Sequence, residues 1–120
     1  MNKPIGKFEN EELFLTVGSY GNNNRLFLGL DTKEESYADI TINLPNMMIP
    51  YQKCVFLSGD ISEELKDFLK EKKIIEDSFG VYQYNYGRYE MVKIDYDRIK
   101  ELDPKGFKEY KKNLVMDMER

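Results

Sequence analysis

The stretch ELFLTVGSYGNNNRLFLGL, residues 12–30, holds two apolar runs separated by a polar break. Leucine and valine alternate with other residues over 11–19, and leucine alternates again over 26–30. This period of two is typical of strands that bury one face. A glycine and three asparagines lie between the runs, and both residue types tolerate the positive φ of tight turns. The stretch therefore predicts an antiparallel β-hairpin.

Three later segments extend the predicted hairpin into a sheet. The run YADITIN (37–43) alternates again, and KCVFL (53–57) is continuously apolar. Segment 78–95 is rich in aromatic and β-branched residues and predicts one or two further strands. Short polar turns between the first three runs are typical of an antiparallel meander with one solvent-facing side. We therefore predict an antiparallel sheet of about five strands.

Helical periodicity appears only in the second half of the chain. The segment GDISEELKDFLKEKK (59–73) places apolar residues at helical spacing behind a capping box of Asp60 and Glu63. Asp103 followed by Pro104 predicts the start of a last helix. Its buried stripe would consist of Phe107, Tyr110, Leu114 and Met118. The predicted fold is α+β, a meander of about five strands with helices packed on one face, in a single domain spanning 1–120.

The residue inventory excludes the commoner catalytic and metal centres. The chain has no histidine and one cysteine, Cys54. It therefore lacks the usual general base, the serine and cysteine triads, and the ligands of a zinc site. Asp95 and Asp97 resemble a pair of cation ligands, but the further oxygens of a calcium loop are missing, and capping of a short helix over 98–102 is favoured. We expect no enzymatic activity, no cofactor and no metal.

Hydropathy and cysteine usage predict the compartment. No apolar stretch is long enough to cross a bilayer, and the start MNKPIGKFENEE lacks the apolar core of a signal peptide. Proteins of oxidising compartments often contain disulfides, and a chain with one cysteine cannot form an internal one. We expect a cytoplasmic protein that does not contact membranes.

Acidic residues are concentrated in the first third of the chain. The net charge is −4, and the segment from Glu9 to Asp39 contains seven acidic residues and only two basic ones. A phosphate backbone would be repelled there and would find no dense basic patch beyond position 61, which argues against direct nucleic-acid binding. The acidic region instead predicts a basic partner surface, approached by electrostatic steering. The candidate contacts are Asp31, Glu34, Glu35 and Asp39.

A tyrosine ladder occupies the segment that follows. Tyr82, Tyr84 and Tyr86 are two residues apart and would share one face of a strand, with Arg88 as the basic residue of the stretch. Three interpretations stay open: cross-strand packing under a helix, a protein-binding face, and a platform for nucleotide bases. Packing is favoured over a protein interface, and both are favoured over base stacking.

An apolar loop lies between two prolines, Pro45 and Pro50, which cannot continue a sheet. Met47, Met48 and Ile49 either fold back over the open end of a small core, where methionine fills irregular space, or contact a partner. The lid interpretation is favoured, but Met47 and Met48 stay candidate partner contacts. A homodimer formed through this loop is compatible with either interpretation.

Three segments together resemble a known family: SYGNNNRLFLGL (19–30), ADITINLPNMMIP (38–50) and IDYDRIKELDPKGFKEY (94–110). The chain resembles a domain-of-unknown-function family of small proteins. The shared pattern is a hairpin with a polar turn, then an NLP strand end, and finally an LDPxG[YF] motif. The resemblance spans roughly residues 11–110. Members are carried by phages and conjugative elements of Gram-positive bacteria, and no catalytic residues are established for them. The resemblance thus implies a genomic context, in which small acidic proteins are often accessory factors, including inhibitors of CRISPR-Cas effectors.

The expected function is therefore that of a non-catalytic binding protein. It would be a phage or mobile-element accessory factor that binds a larger protein and inhibits a host defence nuclease in an anti-CRISPR-like manner. Such a partner could itself bind nucleic acid, and the acidic region would then compete with DNA for a basic channel. The alternative is a small-molecule or nucleotide-binding module that uses the face of Tyr82, Tyr84 and Tyr86.

Overall fold

The computed structural model describes residues 2–47, 49 and 53–118, with side chains described as far as Leu114. Within these ranges the chain forms eight strands and three helices. They are β1 (Pro4–Phe8), β2 (Glu11–Ser19), β3 (Leu26–Asp31), β4 (Ser36–Asp39), β5 (Thr41–Ile42), β6 (Cys54–Leu57), α1 (Glu63–Glu71), β7 (Ile75–Tyr84), β8 (Gly87–Ile94), α2 (Tyr96–Leu102) and α3 (Pro104–Met118).

The strands form two antiparallel four-stranded sheets, so the prediction of one sheet of about five strands is wrong. The first sheet has the order β1-β2-β3-β4 and the second β5-β6-β8-β7. The first contains the predicted hairpin of β2 and β3, and the segment 78–95 supplies two strands of the second. The α+β class is confirmed.

The two sheets separate at Ile40, inside the run that had been predicted as one strand over 37–43. Residues before it pair with β3, and residues after it pair with β6. The Ile40 N–H donates to the Leu28 carbonyl, and the Ser58 N–H donates to the Ile40 carbonyl, so the crossing residue is hydrogen-bonded to neighbours in both sheets. Its side chain is fully buried. The uninterrupted alternation of apolar residues conceals this crossing, because Ile40 keeps its inward direction while its pairing partner changes.

Strand β1 was not predicted, because its sequence PIGKF contains a proline and a glycine that weaken a strand pattern. Ile5 is its buried residue. β1 pairs with the first part of β2, and its register shifts between Pro4 and Gly6. The second half of β2 therefore has an edge that β1 does not cover.

The main core takes buried residues from both sheets and all three helices. A second, smaller cluster consists of Leu44, Cys54, Phe56 and Met91. Alternate residues of β6 enter the two clusters, Val55 and Leu57 the main core and Cys54 and Phe56 the second. The continuous hydrophobicity of KCVFL is explained because this strand is buried on both faces.

The helix starts agree with the sequence at two of three places. Asp95 caps α2, since its side chain accepts the Arg98 N–H, and α3 begins at Pro104. The cap of α1 is Ser62, whose side chain accepts the Leu65 N–H, so the prediction of a capping box starting at Asp60 is wrong by two positions.

The predicted stripe of α3 packs inward as far as it is described. Tyr110 is buried, and Phe107 and Leu114 pack against the main core. The side chain of Met118 lies outside the described residues. In the described part of the chain, no helix combines the length and the hydrophobicity needed to span a membrane.

Candidate partner-binding surface

The β7–β8 hairpin carries the large hydrophobic side chains that are exposed in the described part of the chain. They are Phe79, Val81 and Tyr86. Residues 76–81 of β7 are all exposed, so this part of the strand leaves both faces open. Concentrated exposed apolar side chains mark interaction sites in soluble proteins. The sequence did not single out Phe79 and Val81, since nothing in the run SFGV distinguishes an uncovered edge strand from a covered one.

The free edge of β7 is irregular. Its register with β8 shifts between Ile75 and Ser78 and again between Ser78 and Val81. Gly80, within the second irregular step, has a φ of +109°. Such irregularities twist a strand and protect its edge against pairing with another chain. The hairpin is therefore suited to contact a partner through side chains rather than through an added strand.

The tyrosine ladder divides into two parts. Tyr82 and Tyr84 are half-buried and pack against the second cluster, where the Tyr82 ring meets the Phe56 ring edge to face at 6.0 Å. Tyr86 lies in the turn, where Asn85 adopts a positive φ of 55°, and its side chain is fully exposed. The prediction that the three tyrosines share one strand face is thus wrong for Tyr86, because the strand ends at Tyr84. No continuous platform for bases results.

Arg88 is exposed on β8, opposite Gln83 and directly after the turn that holds Tyr86. Tyrosine and arginine are the residues most often found at interface hot spots. Tyr86 and Arg88 are therefore both exposed at the turn end of the hairpin, whereas Tyr82 and Tyr84 pack against the second cluster.

The apolar loop is held against the second cluster. Met47 and Ile49 pack on it half-buried, as the lid interpretation predicts. The Arg25 guanidinium donates to the Leu44 carbonyl at 2.8 Å and to the Met47 carbonyl at 2.6 Å. Met48, the other candidate contact of this loop, lies outside the described residues.

The asparagines of the β2–β3 turn bind Asn43, shortly before the same loop. Asn23 Nδ2 donates to Asn43 Oδ1 at 3.0 Å, and Asn43 Nδ2 donates to Asn22 Oδ1 at 2.9 Å. The Tyr20 and Thr41 hydroxyls lie 2.8 Å apart. The SYGNNNR and TINLP segments therefore contact each other and have a structural role.

The LDPKG segment is also structural. The buried Asp103 accepts the Gly106 N–H at 3.1 Å through Oδ1 and the Val17 N–H at 2.9 Å through Oδ2. Its carboxylate thus covers part of the β2 edge that β1 leaves free. A Cβ on Gly106 would overlap the Asp103 carboxylate and the Val17 carbonyl oxygen. Glycine at this position allows α3 to approach the first sheet.

The acidic candidates lie on the first sheet, whereas the hairpin belongs to the second. Asp31 on β3 accepts a hydrogen bond from the Thr16 hydroxyl. Glu34 and Glu35 are exposed in the turn between β3 and β4, and Asp39 is exposed on β4. The four carboxylates therefore lie on β3, β4 and the turn between them, with Asp31 half-buried and the other three exposed.

Further carboxylates surround this turn. The Lys33 ammonium lies 3.7 Å from a Glu12 oxygen, so one charge of the group is partly neutralised. Burial, together with the negative charges of Glu9 and Glu11, raises the pKa of Tyr37 above its ordinary value. Burial is the larger cause of this shift, and the two carboxylates add to it.

A family model describing a domain of unknown function, DUF4313, matches residues 14–114. This range includes all three segments that carried the resemblance in the sequence. Neither the curated proteins nor the solved structures gave a match to the chain. Because the match covers most of the 120 residues, the chain belongs to the family of this domain of unknown function.

Proposed function

We propose that the chain is a non-catalytic binding module that acts by occupying a surface of a larger protein. The observation that carries this proposal is the concentration of Phe79, Val81 and Tyr86 on one exposed hairpin, with Arg88 beside them. Aromatic and arginine side chains that lose their water on binding supply much of the energy of protein interfaces. The protected edge of β7 favours a partner that contacts these side chains.

The proposed partner is a host defence nuclease, and the chain is proposed to be a cytoplasmic accessory factor of a phage or conjugative element. Support comes from the genomic context that the family resemblance implies and from the exposed carboxylates Glu34 and Glu35. A nuclease presents a basic channel, and an acidic region would speed the encounter and compete with DNA. Nucleotide binding by the tyrosine ladder is not proposed, because the rings of Tyr82 and Tyr84 pack against the protein itself.

The test is DNA cleavage by purified RNA-guided nucleases of Gram-positive hosts, with the full chain added in molar excess. We expect inhibition by the unaltered chain. The double variant Val81→Ser, Tyr86→Ala should inhibit at least ~10-fold less strongly, since each truncated hot-spot side chain costs about 1–2 kcal/mol of binding. Both side chains are exposed, so the variant should unfold at the same temperature as the unaltered chain.

The variant Glu34→Gln, Glu35→Gln separates steering from contact. It should slow association at low salt and leave dissociation unchanged, because exposed charges act mainly on the encounter. Failure to inhibit any nuclease in the panel, or to form a complex with one, would contradict the nuclease assignment. Inhibition that survives the hairpin substitutions would contradict the hairpin as the contact surface.

A further inference from the structure

The exposed side of α2 and α3 carries a group of lysines that are scattered in the sequence. We name it the lysine surface; its members are Lys53, Lys100, Lys105, Lys108, Lys111 and Lys112, all of them exposed. Carboxylates are interspersed with them along the chain, so the sequence predicted no dense basic patch. The helices instead direct the lysines to one side.

The members of α3 lie on one broad side of the helix, because Lys108 follows Lys105 by three residues and is itself followed by lysines three and four residues later. Lys100 of α2 joins Lys108 and Lys111 around an open groove of about 500 Å³, which is also lined by Pro104 and the half-buried ring of Phe107. The lysines thus surround an apolar, aromatic floor.

Lys53 connects to the same surface through Tyr96. The ammonium groups of Lys53 and Lys111 lie 5.4 and 5.7 Å from the centroid of this ring. The Tyr96 ring in turn contacts the Phe107 ring edge to face at 5.5 Å. Cations and aromatic rings therefore adjoin one another from Lys53, directly before β6, to α3.

The described carboxylates leave this surface largely unneutralised. None of the six ammonium groups forms an ion pair with a described carboxylate, whereas Lys3, Lys33, Lys66 and Lys93 each do. On α2, Glu101 pairs with Arg98 and Lys3. Besides Glu101, the exposed acids among the described side chains of these helices are Asp97 and Glu109. Clustered like charges of this kind repel one another, and a polyanion would relieve the repulsion.

We propose that the lysine surface binds single-stranded nucleic acid, with ammonium groups on the phosphates and the Phe107 ring against a base. A basic groove with an aromatic floor is the combination that single-strand binders use, because unpaired bases can stack while the backbone is neutralised. The eight residues from Lys105 to Lys112 are separated by seven helical rises, about 10 Å in all, which is enough for roughly three nucleotides. An acidic protein segment would also be attracted by the cations, but its carboxylate side chains offer no planar base to stack on the ring. The proposal is independent of the hairpin, which lies on other elements.

The test is fluorescence anisotropy of a labelled oligothymidylate of about 16 nucleotides with the full chain in about 50 mM salt. We expect saturable binding that weakens steeply as salt is raised. The variant Lys108→Gln, Lys111→Gln should weaken binding roughly 60-fold in this salt and reduce the salt slope by about 1.4, since each lost contact releases ~0.7 fewer counterions. The matched control is Lys70→Gln, Lys73→Gln, which removes the same charge at exposed positions in and after α1 and should change affinity no more than about twofold.

Phe107→Leu examines the aromatic floor. It keeps an apolar side chain against the main core but removes the stacking ring, so affinity should fall roughly 5- to 100-fold while the salt slope stays constant. Thermal unfolding of the same variant confirms that it remains folded at the assay temperature.

Three results would overturn the proposal. The first is no binding of the oligonucleotide in about 50 mM salt. The second is an equal loss of affinity in the surface variant and in the control variant Lys70→Gln, Lys73→Gln. This result would show that the oligonucleotide is attracted by overall charge alone. The third is tighter binding of polyglutamate of the same length than of the oligonucleotide, which would assign the surface to an acidic protein segment.

Discussion

Replacing Gly106 with alanine sets a favourable local effect against an unfavourable tertiary one. Inside a helix, alanine is favoured over glycine by about 1 kcal/mol. A Cβ here, however, would come within 2.9 Å of the Asp103 carboxyl carbon and would overlap a carboxylate oxygen and the Val17 carbonyl oxygen. Either α3 moves away from β2 or the carboxylate moves away from its two donors.

The hydrogen bonds at risk are those that Asp103 accepts from Val17 and Gly106. A hydrogen bond to a charged group contributes about 1.5–3 kcal/mol, so losing both costs about 3–6 kcal/mol. After the gain in helix propensity, we expect a net loss of about 2–5 kcal/mol in the free energy of unfolding. For 120 residues, an unfolding entropy of about 2.1 cal/mol/K per residue converts this loss into a Tm lower by roughly 8–20 °C.

Urea unfolding and calorimetry of the two chains measure the difference. The matched control is Gly21→Ala, because a Cβ on Gly21 would have no atom within 4 Å, and its stability should stay within about 0.5 kcal/mol of the unaltered chain. A Gly106→Ala variant as stable as the unaltered chain, or more stable, would refute the close approach of α3 to β2.

Two further predictions concern the second sheet. Burial alone would raise the pKa of Glu90, but hydrogen bonds from Ser78 and Lys66 lower it below its ordinary value. The ionised Glu90 therefore stabilises the fold above the ordinary carboxyl pKa, and this stability is lost as pH falls through the lower folded pKa. In urea unfolding, Glu90→Gln should make the free energy of unfolding less dependent on pH between about pH 5 and 3. The same pH dependence in the variant would contradict this role. Tyr82→Ala should cost about 2–4 kcal/mol because its ring packs on the second cluster, whereas Tyr86→Ala should change stability by less than about 0.5 kcal/mol. The opposite order in the same measurement would contradict the division of the ladder.

Local patterns predicted what depends on neighbouring residues. The alternation over 11–19 and 26–30 identified β2 and β3, and the asparagine-rich turn identified their hairpin. Asp95, Asp103 and Pro104 marked helix starts correctly. Capping, turn formation and one-sided burial involve residues a few positions apart, so the sequence displays them directly.

The sequence by itself determined the α+β class, most of the strands and helices, and the absence of histidine chemistry. Only the tertiary structure decided that the chain changes sheets at Ile40 and that Tyr86 leaves the packed ladder. It also decided that Lys53, before β6, and the lysines of α2 and α3 meet on one surface. The reason is physical: a residue's period and neighbours determine which way its side chain points. Which strand it pairs with, and which charges gather beside it, depends on segments tens of residues away and on the core that brings them together.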